Sequence, residues 1–101
     1  MASSKEYADF ILDQCSGLSA RAMMGEYILY YNGKVIGGVY DNRLLVKPTK
    51  SAKSLMPNAQ YQLPYEGAKK MLFVEAVEDR AFLEKLFVAM YDELPEPKDR
   101  R

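Results

Sequence analysis

The spacing of apolar positions changes along this chain, and each change marks a new structural element. Near the start, Tyr7, Phe10, Ile11, Cys15 and Leu18, with Gln14 among them, recur at three- and four-residue steps, while Asp9 and Asp13 fall on the other side. That rhythm predicts an amphipathic helix over residues 4–16. Ser3 followed by Glu6 reads as a capping box at its start, and Gly17 ends it. From Glu26 to Tyr31 the residues become aromatic and branched, as in strands. Asn32-Gly33 suits a two-residue hairpin turn, because both central positions need positive φ. Lys34 to Tyr40 is the return strand. Gly37-Gly38 inside it predicts a bulge or the close approach of another backbone. Asp41-Asn42 makes a second turn and Arg43 to Lys47 a third strand. Residues 21–24 read as a short turn or as part of the first strand. The expected unit is a three-stranded antiparallel meander.

Pro48 stops the third strand, Thr49 caps a short helix running to about Met56, and Pro57 ends it. Residues 58–68 are loop-like, with a turn at Pro64-Tyr65-Glu66-Gly67 and a short strand at Tyr61–Leu63. Lys70 to Val77 reads as a buried strand. Asp79 caps a last helix over residues 80–94, with Phe82, Leu83, Leu86, Phe87 and Met90 facing inward. The predicted class is α+β, in the order α-β(3)-α-β(1-2)-α: an antiparallel sheet with two long helices packed mainly on one face. Residues 1–95 are expected to form one domain, and 96–101 a disordered charged tail.

Charge adds an asymmetry. The chain is formally neutral, with 14 basic and 14 acidic residues. Residues 21–70 hold eight basic groups against three acidic ones, so the middle is basic and both ends are acidic. Overall neutrality argues against a strongly nucleic-acid-binding domain, which normally carries a basic excess. No stretch has the length of apolar sequence that a membrane span needs, and the first residues lack the apolar core of a signal peptide. A cytoplasmic location is expected.

Candidate chemistry is sparse. There is no histidine, which removes histidine-ligated zinc sites and nucleophile–histidine pairs. Cys15 is the single cysteine; near a helix C-terminus and on the apolar face, it is expected to be a passive, packed thiol. Glu78 and Asp79, with Glu75 nearby, lie where a helix begins, and capping accounts for them better than acid–base chemistry does. Gly37-Gly38 remain within a strand, so they do not form a phosphate-cradling loop. No catalytic, cofactor-binding or metal-ligating set emerges.

The remaining candidates are surface contacts. The tyrosines, Tyr30 and Tyr40 among them, suit a strand-rich interface. Lys47, Lys50 and Lys53 form a basic cluster, since Lys50 and Lys53 are neighbours on a short helix and Lys47 ends the strand before it. Arg21, Arg43 and Lys69, with Lys70, are candidates to join it. An acidic or phosphate-rich partner would dock there.

Several segments resemble a known family in order and spacing. These are Arg21-x-Met23-x-Gly25-x-Tyr27, Leu29-Tyr30-x-Asn32-Gly33-Lys34, Asp41-Asn42-Arg43-Leu44-x-Val46-Lys47-Pro48 and Tyr65-x-Gly67-Ala68-Lys69. They are similar to the N-terminal domain of the TfoX/Sxy family, over about residues 3–95. Met24 and Gly38 depart from the bulkier residues of that pattern. The resemblance implies an α-β(3)-α-β(2)-α fold and a link to bacterial competence regulation. Full-length members act beside the cyclic-AMP receptor protein and carry a helical C-terminal domain, which this sequence lacks; a stand-alone copy is therefore expected. The family supplies no catalytic residue to transfer. The leading expectation is a non-enzymatic regulator working by protein–protein contact, with transcription machinery or a cyclic-AMP receptor protein-like regulator as partner. An edge strand also makes homodimerisation plausible. Direct nucleic-acid binding through Lys47, Lys50 and Lys53 is the alternative, and a small-ligand binder or enzyme of unknown reaction is the third.

Overall fold

The computed structural model describes residues 3–95. They form an α+β fold in the order α1 (Lys5–Leu12), β1 (Leu18–Met23), β2 (Glu26–Tyr31), β3 (Lys34–Val39), β4 (Leu44–Val46), α2 (Lys50–Leu55), β5 (Tyr61–Gln62), β6 (Met71–Val74) and α3 (Arg80–Tyr91). The strands make one antiparallel sheet in the order β1-β2-β3-β4-β6-β5. The expected meander is present, and β1 extends it by a strand. Asn32 (φ 48°) and Gly33 (φ 91°) turn β2 into β3, and Asp41 and Asn42, both left-handed, turn β3 into β4. The expected tail lies outside the described residues.

One face of the sheet carries the core. Leu29 and Tyr31 from β2, Val39 from β3, Leu44 and Val46 from β4, and Leu72 and Val74 from β6 meet Ile11 of α1 and Leu83, Leu86, Phe87 and Met90 of α3. These side chains alternate along the strands, so a single face receives them. Tyr31 packs against Phe87 and Tyr91, with ring centroids 5.7 and 6.1 Å away. Cys15 is buried in the same cluster, where burial pushes its thiol pKa up. Lys34 is also buried, 6 % exposed. Its Nζ donates to the Tyr91 carbonyl at the end of α3 (3.1 Å) and sits 4.1 Å from the centre of the Tyr91 ring. A cation is favoured at a helix C-terminus and over an aromatic face.

The glycine pair behaves as its position predicts. The β2–β3 register shifts between Leu29 and Tyr30, giving a bulge in β3 ahead of Gly37. A Cβ on Gly37 would lie 2.1 Å from the Leu45 carbonyl oxygen and 2.7 Å from the Val46 Cα, so only glycine lets β3 and β4 approach this closely.

Helix caps follow the expectation at Thr49 and Asp79, whose side chains accept from the amides of Ala52 and Phe82. The first cap needs correcting. Ser4, not Ser3, caps α1 by accepting from the Tyr7 amide. Ser3 is drawn instead to the hairpin ends: its amide donates to the Gly25 carbonyl and its hydroxyl to Glu26 Oε1 (2.7 Å), and the hydroxyl accepts from the Asn42 amide. The Asp41 amide donates to the same Glu26 oxygen. Helix α1 also ends earlier than its apolar spacing suggested, and residues 13–17 are turns.

Candidate functional site

The sheet face turned away from the helices is where side chains remain available. Strand alternation sends Arg21 and Met23 of β1, Ile28 and Tyr30 of β2, Gly38 of β3 and the fully buried Leu45 of β4 to this side. Gly38 makes room there for an aromatic ring: a Cβ at this position would come within 2.4 Å of the Tyr40 ring. Tyr65, on the segment between β5 and β6, lies against Tyr40, with ring centroids 6.0 Å apart and planes inclined at 56°. Burial, with smaller effects from Tyr65 and Glu26, raises the Tyr40 phenol pKa, so it stays a neutral hydroxyl near neutral pH.

Arg43 fixes the segment that carries Tyr65. Its Nε donates to the Tyr40 carbonyl (3.1 Å), Nη1 to Gln62 Oε1 (2.7 Å) and Nη2 to the Leu63 carbonyl (3.1 Å). The rigid guanidinium fork therefore ties the β3–β4 turn to the chain leaving β5.

Two recesses flank the tyrosine pair and share it. One, of about 540 Å³, is lined by Met23, Met24, Glu26, Tyr27, Ile28, Tyr40 and Tyr65. Its lining is mostly apolar, and the one charged residue among its described lining residues, Glu26, already accepts hydrogen bonds from Ser3 and Asp41. Met23, Met24 and Tyr65 are among the most exposed large apolar residues described, Met24 at 96 %. Met24 and Gly25 form the two-residue turn between β1 and β2, and Met24 there has φ 54°, a left-handed conformation that methionine rarely adopts. The other recess, of about 550 Å³, is lined by Lys47, Lys69 and Lys70 together with Pro48, Pro64, Met71 and the same tyrosines. Among the described residues none of these lysines forms an ion pair; Lys5–Asp9 on α1 does.

The structure regroups the residues singled out from the sequence. Lys47, Lys69 and Tyr40 come together at the second recess. Lys50 and Lys53 are exposed on α2, which packs against α3 in the helix layer. Arg21 and Tyr30 share the open face without lining either recess. Arg43 is a structural tie. Sequence reasoning missed Met23, Met24 and Tyr65 as a group. The signal available was the Met24-Gly25 pair, which occupies the same kind of turn as Asn32-Gly33 with an apolar residue in the first position.

No group of His, Cys, Asp and Glu among the described residues is arranged to hold a metal ion. No described helix is long and apolar enough to cross a membrane.

Comparison with known proteins agrees with the fold and adds no chemistry. The model of the TfoX N-terminal domain matches residues 11–93. An uncharacterized 12.7 kDa protein in the trpE 5′ region of Spirochaeta aurantia is 37 % identical over 105 aligned positions, covering all of this chain and 91 % of that protein. No solved structure matches.

Proposed function

The chain belongs to the TfoX N-terminal domain family, and on that premise we propose that it is a regulatory protein that works by binding another protein through the open face of its sheet. The observation that carries this reading is the exposed group of Met23, Met24 and Tyr65 beside a recess, on the face the helices leave uncovered. Exposed apolar side chains gathered in one place, with tyrosine and methionine prominent, are characteristic of binding surfaces. The Arg43 tie holds the surface in shape before a partner arrives, which lowers the ordering cost of association.

The test is photo-crosslinking in the native host. A benzoylphenylalanine replaces Tyr65 in one strain and Lys85, exposed on α3, in another. A discrete protein adduct from the Tyr65 position only is expected. Adducts from both positions, or from neither, would refute the reading.

Strand β1 favours homodimerisation as a second reading. Among the described strands it lies at the sheet edge and pairs with β2 alone. A two-residue turn closes that hairpin at Met23 and Glu26, so the amides and carbonyls of Leu18, Ala20 and Ala22 face outward. The strand contains neither proline nor lysine, and Arg21 is its one charged guard. Pairing with a second copy about Ala20 would set Leu18 opposite Ala22. Sedimentation velocity should show a dimer that Ala20→Pro dissolves; a wild-type monomer at high concentration excludes it.

A further inference from the structure

The two recesses differ in charge, and the difference specifies what can lie across them. Among the described residues that line the first recess the one charged residue is Glu26, held by Ser3 and the Asp41 amide, and Arg21 stands opposite Ile28 on the same face. The second is lined by Lys47, Lys69 and Lys70 with no acid among its described lining residues, although Glu66 is exposed nearby on the same segment. The shared tyrosine pair joins the two into one continuous surface, apolar at one end and basic at the other.

We infer that the occupant of this surface is an extended segment of a partner protein in which an apolar side chain is followed by acidic ones. The apolar side chain sits among Met23, Ile28 and Tyr40, the chain crosses Tyr65, and the acids face Lys47, Lys69 and Lys70. This deepens the proposed function and rests on its placing of the binding surface. Charge complementarity selects the partner. A nucleic-acid strand is negative along its whole length, and its phosphates would meet Glu26 and an apolar wall at one end. A segment charged at one end only matches the surface at both. Lysines that form no ion pair among the described residues, set around aromatic rings, give acidic residues a favourable field.

The experiment is selection of a random-peptide display library on the wild-type protein, followed by anisotropy measurements with the selected peptide carrying fluorescein. Variants are Tyr65→Ala and the double Lys69→Glu/Lys70→Glu, all at exposed positions, with thermal melts to confirm folding. Enriched sequences are expected to pair an apolar residue with following Asp or Glu. Affinity should fall at least about tenfold on the double charge reversal, as juxtaposed like charges require, and should weaken with salt. Enriched peptides without acids that still shift the amide resonances of Tyr40 and Tyr65 would overturn this inference and leave the binding surface standing. Peptides that shift resonances elsewhere, or no enrichment at all, would overturn both. Binding of oligo-dT abolished by the same charge reversal would replace the peptide with nucleic acid.

Discussion

Replacing Met24 with asparagine should make the protein more stable, although methionine is far more apolar. Met24 is held at φ 54° in a two-residue hairpin turn, and its side chain is 96 % exposed. Left-handed backbone costs an ordinary L-residue about 1–2 kcal/mol, whereas asparagine visits it readily. Because the methionine side chain is almost wholly in water, its removal takes nothing from the core. The net gain expected for Met24→Asn is about 1 kcal/mol, most of the strain relieved. For a domain of this size that is an increase of about 4–8 °C in melting temperature. Urea denaturation followed by circular dichroism is the decisive assay, with a raised midpoint and an unchanged slope expected. An unchanged or lowered midpoint would refute the reasoning, since the exposed side chain would then be stabilising the turn by more than its backbone strain. The same variant should bind the selected peptide more weakly, because Met24 lines the apolar recess. A residue that breaks its local rule at a surface recess fits a site where stability has been exchanged for binding.

Three further outcomes follow from other contacts. Gly37→Ala should lower stability by about 1–3 kcal/mol in urea titration, as overpacking does, because the added methyl meets the Leu45 carbonyl oxygen and Val46 Cα of the neighbouring strand. Glu93 accepts from the Ser51 amide and hydroxyl, and these bonds lower its carboxyl pKa below the ordinary 4.5. Its stabilising effect is therefore complete above that value and is lost as pH falls through the lowered one. Melts across that acid range should show wild type losing its advantage over Glu93→Gln, and a constant difference at every pH would contradict the assignment. Native Cys15 should react slowly with a disulfide reagent at neutral pH and promptly in denaturant, since burial raises its pKa and blocks access; rapid native reaction would show the thiol to be open.

Local chemistry made much of the fold readable. Asn32-Gly33, Asp41-Asn42, Thr49 and Asp79 act within a few residues of themselves, so their turns and caps follow from sequence spacing alone. Strand β1 was harder to see. Leu18-Ser19-Ala20-Arg21-Ala22-Met23 contains no β-branched or aromatic residue, and it is extended because β2 pairs with it rather than from its own preference. Ser3 and Ser4 compete for one helix start, and the choice is made by Glu26 and Asn42, remote in sequence. The site was legible only in pieces. Tyr40 and Lys47 stood out as residue types, but their meeting with Tyr65, Lys69 and Lys70 depends on where Arg43 anchors the segment after β5. Spacing grouped Lys47 with Lys50 and Lys53, whereas the turn at Pro48 carries the latter two to the helix layer.

On the proposed reading, strand order has a consequence for when this protein becomes competent to bind. β1 through β4 are neighbours in sequence as well as in space and can zip together by short hairpins, whereas β6 reaches β4 only after the chain has travelled around α2. Distant pairings are closed at a greater entropic cost than adjacent ones. Tyr65, Lys69 and Lys70 ride on that returning stretch, so a nascent or partly opened chain would offer only half of the proposed docking ground. On the proposed reading, recognition would thereby be reserved for molecules whose last strand has already come home.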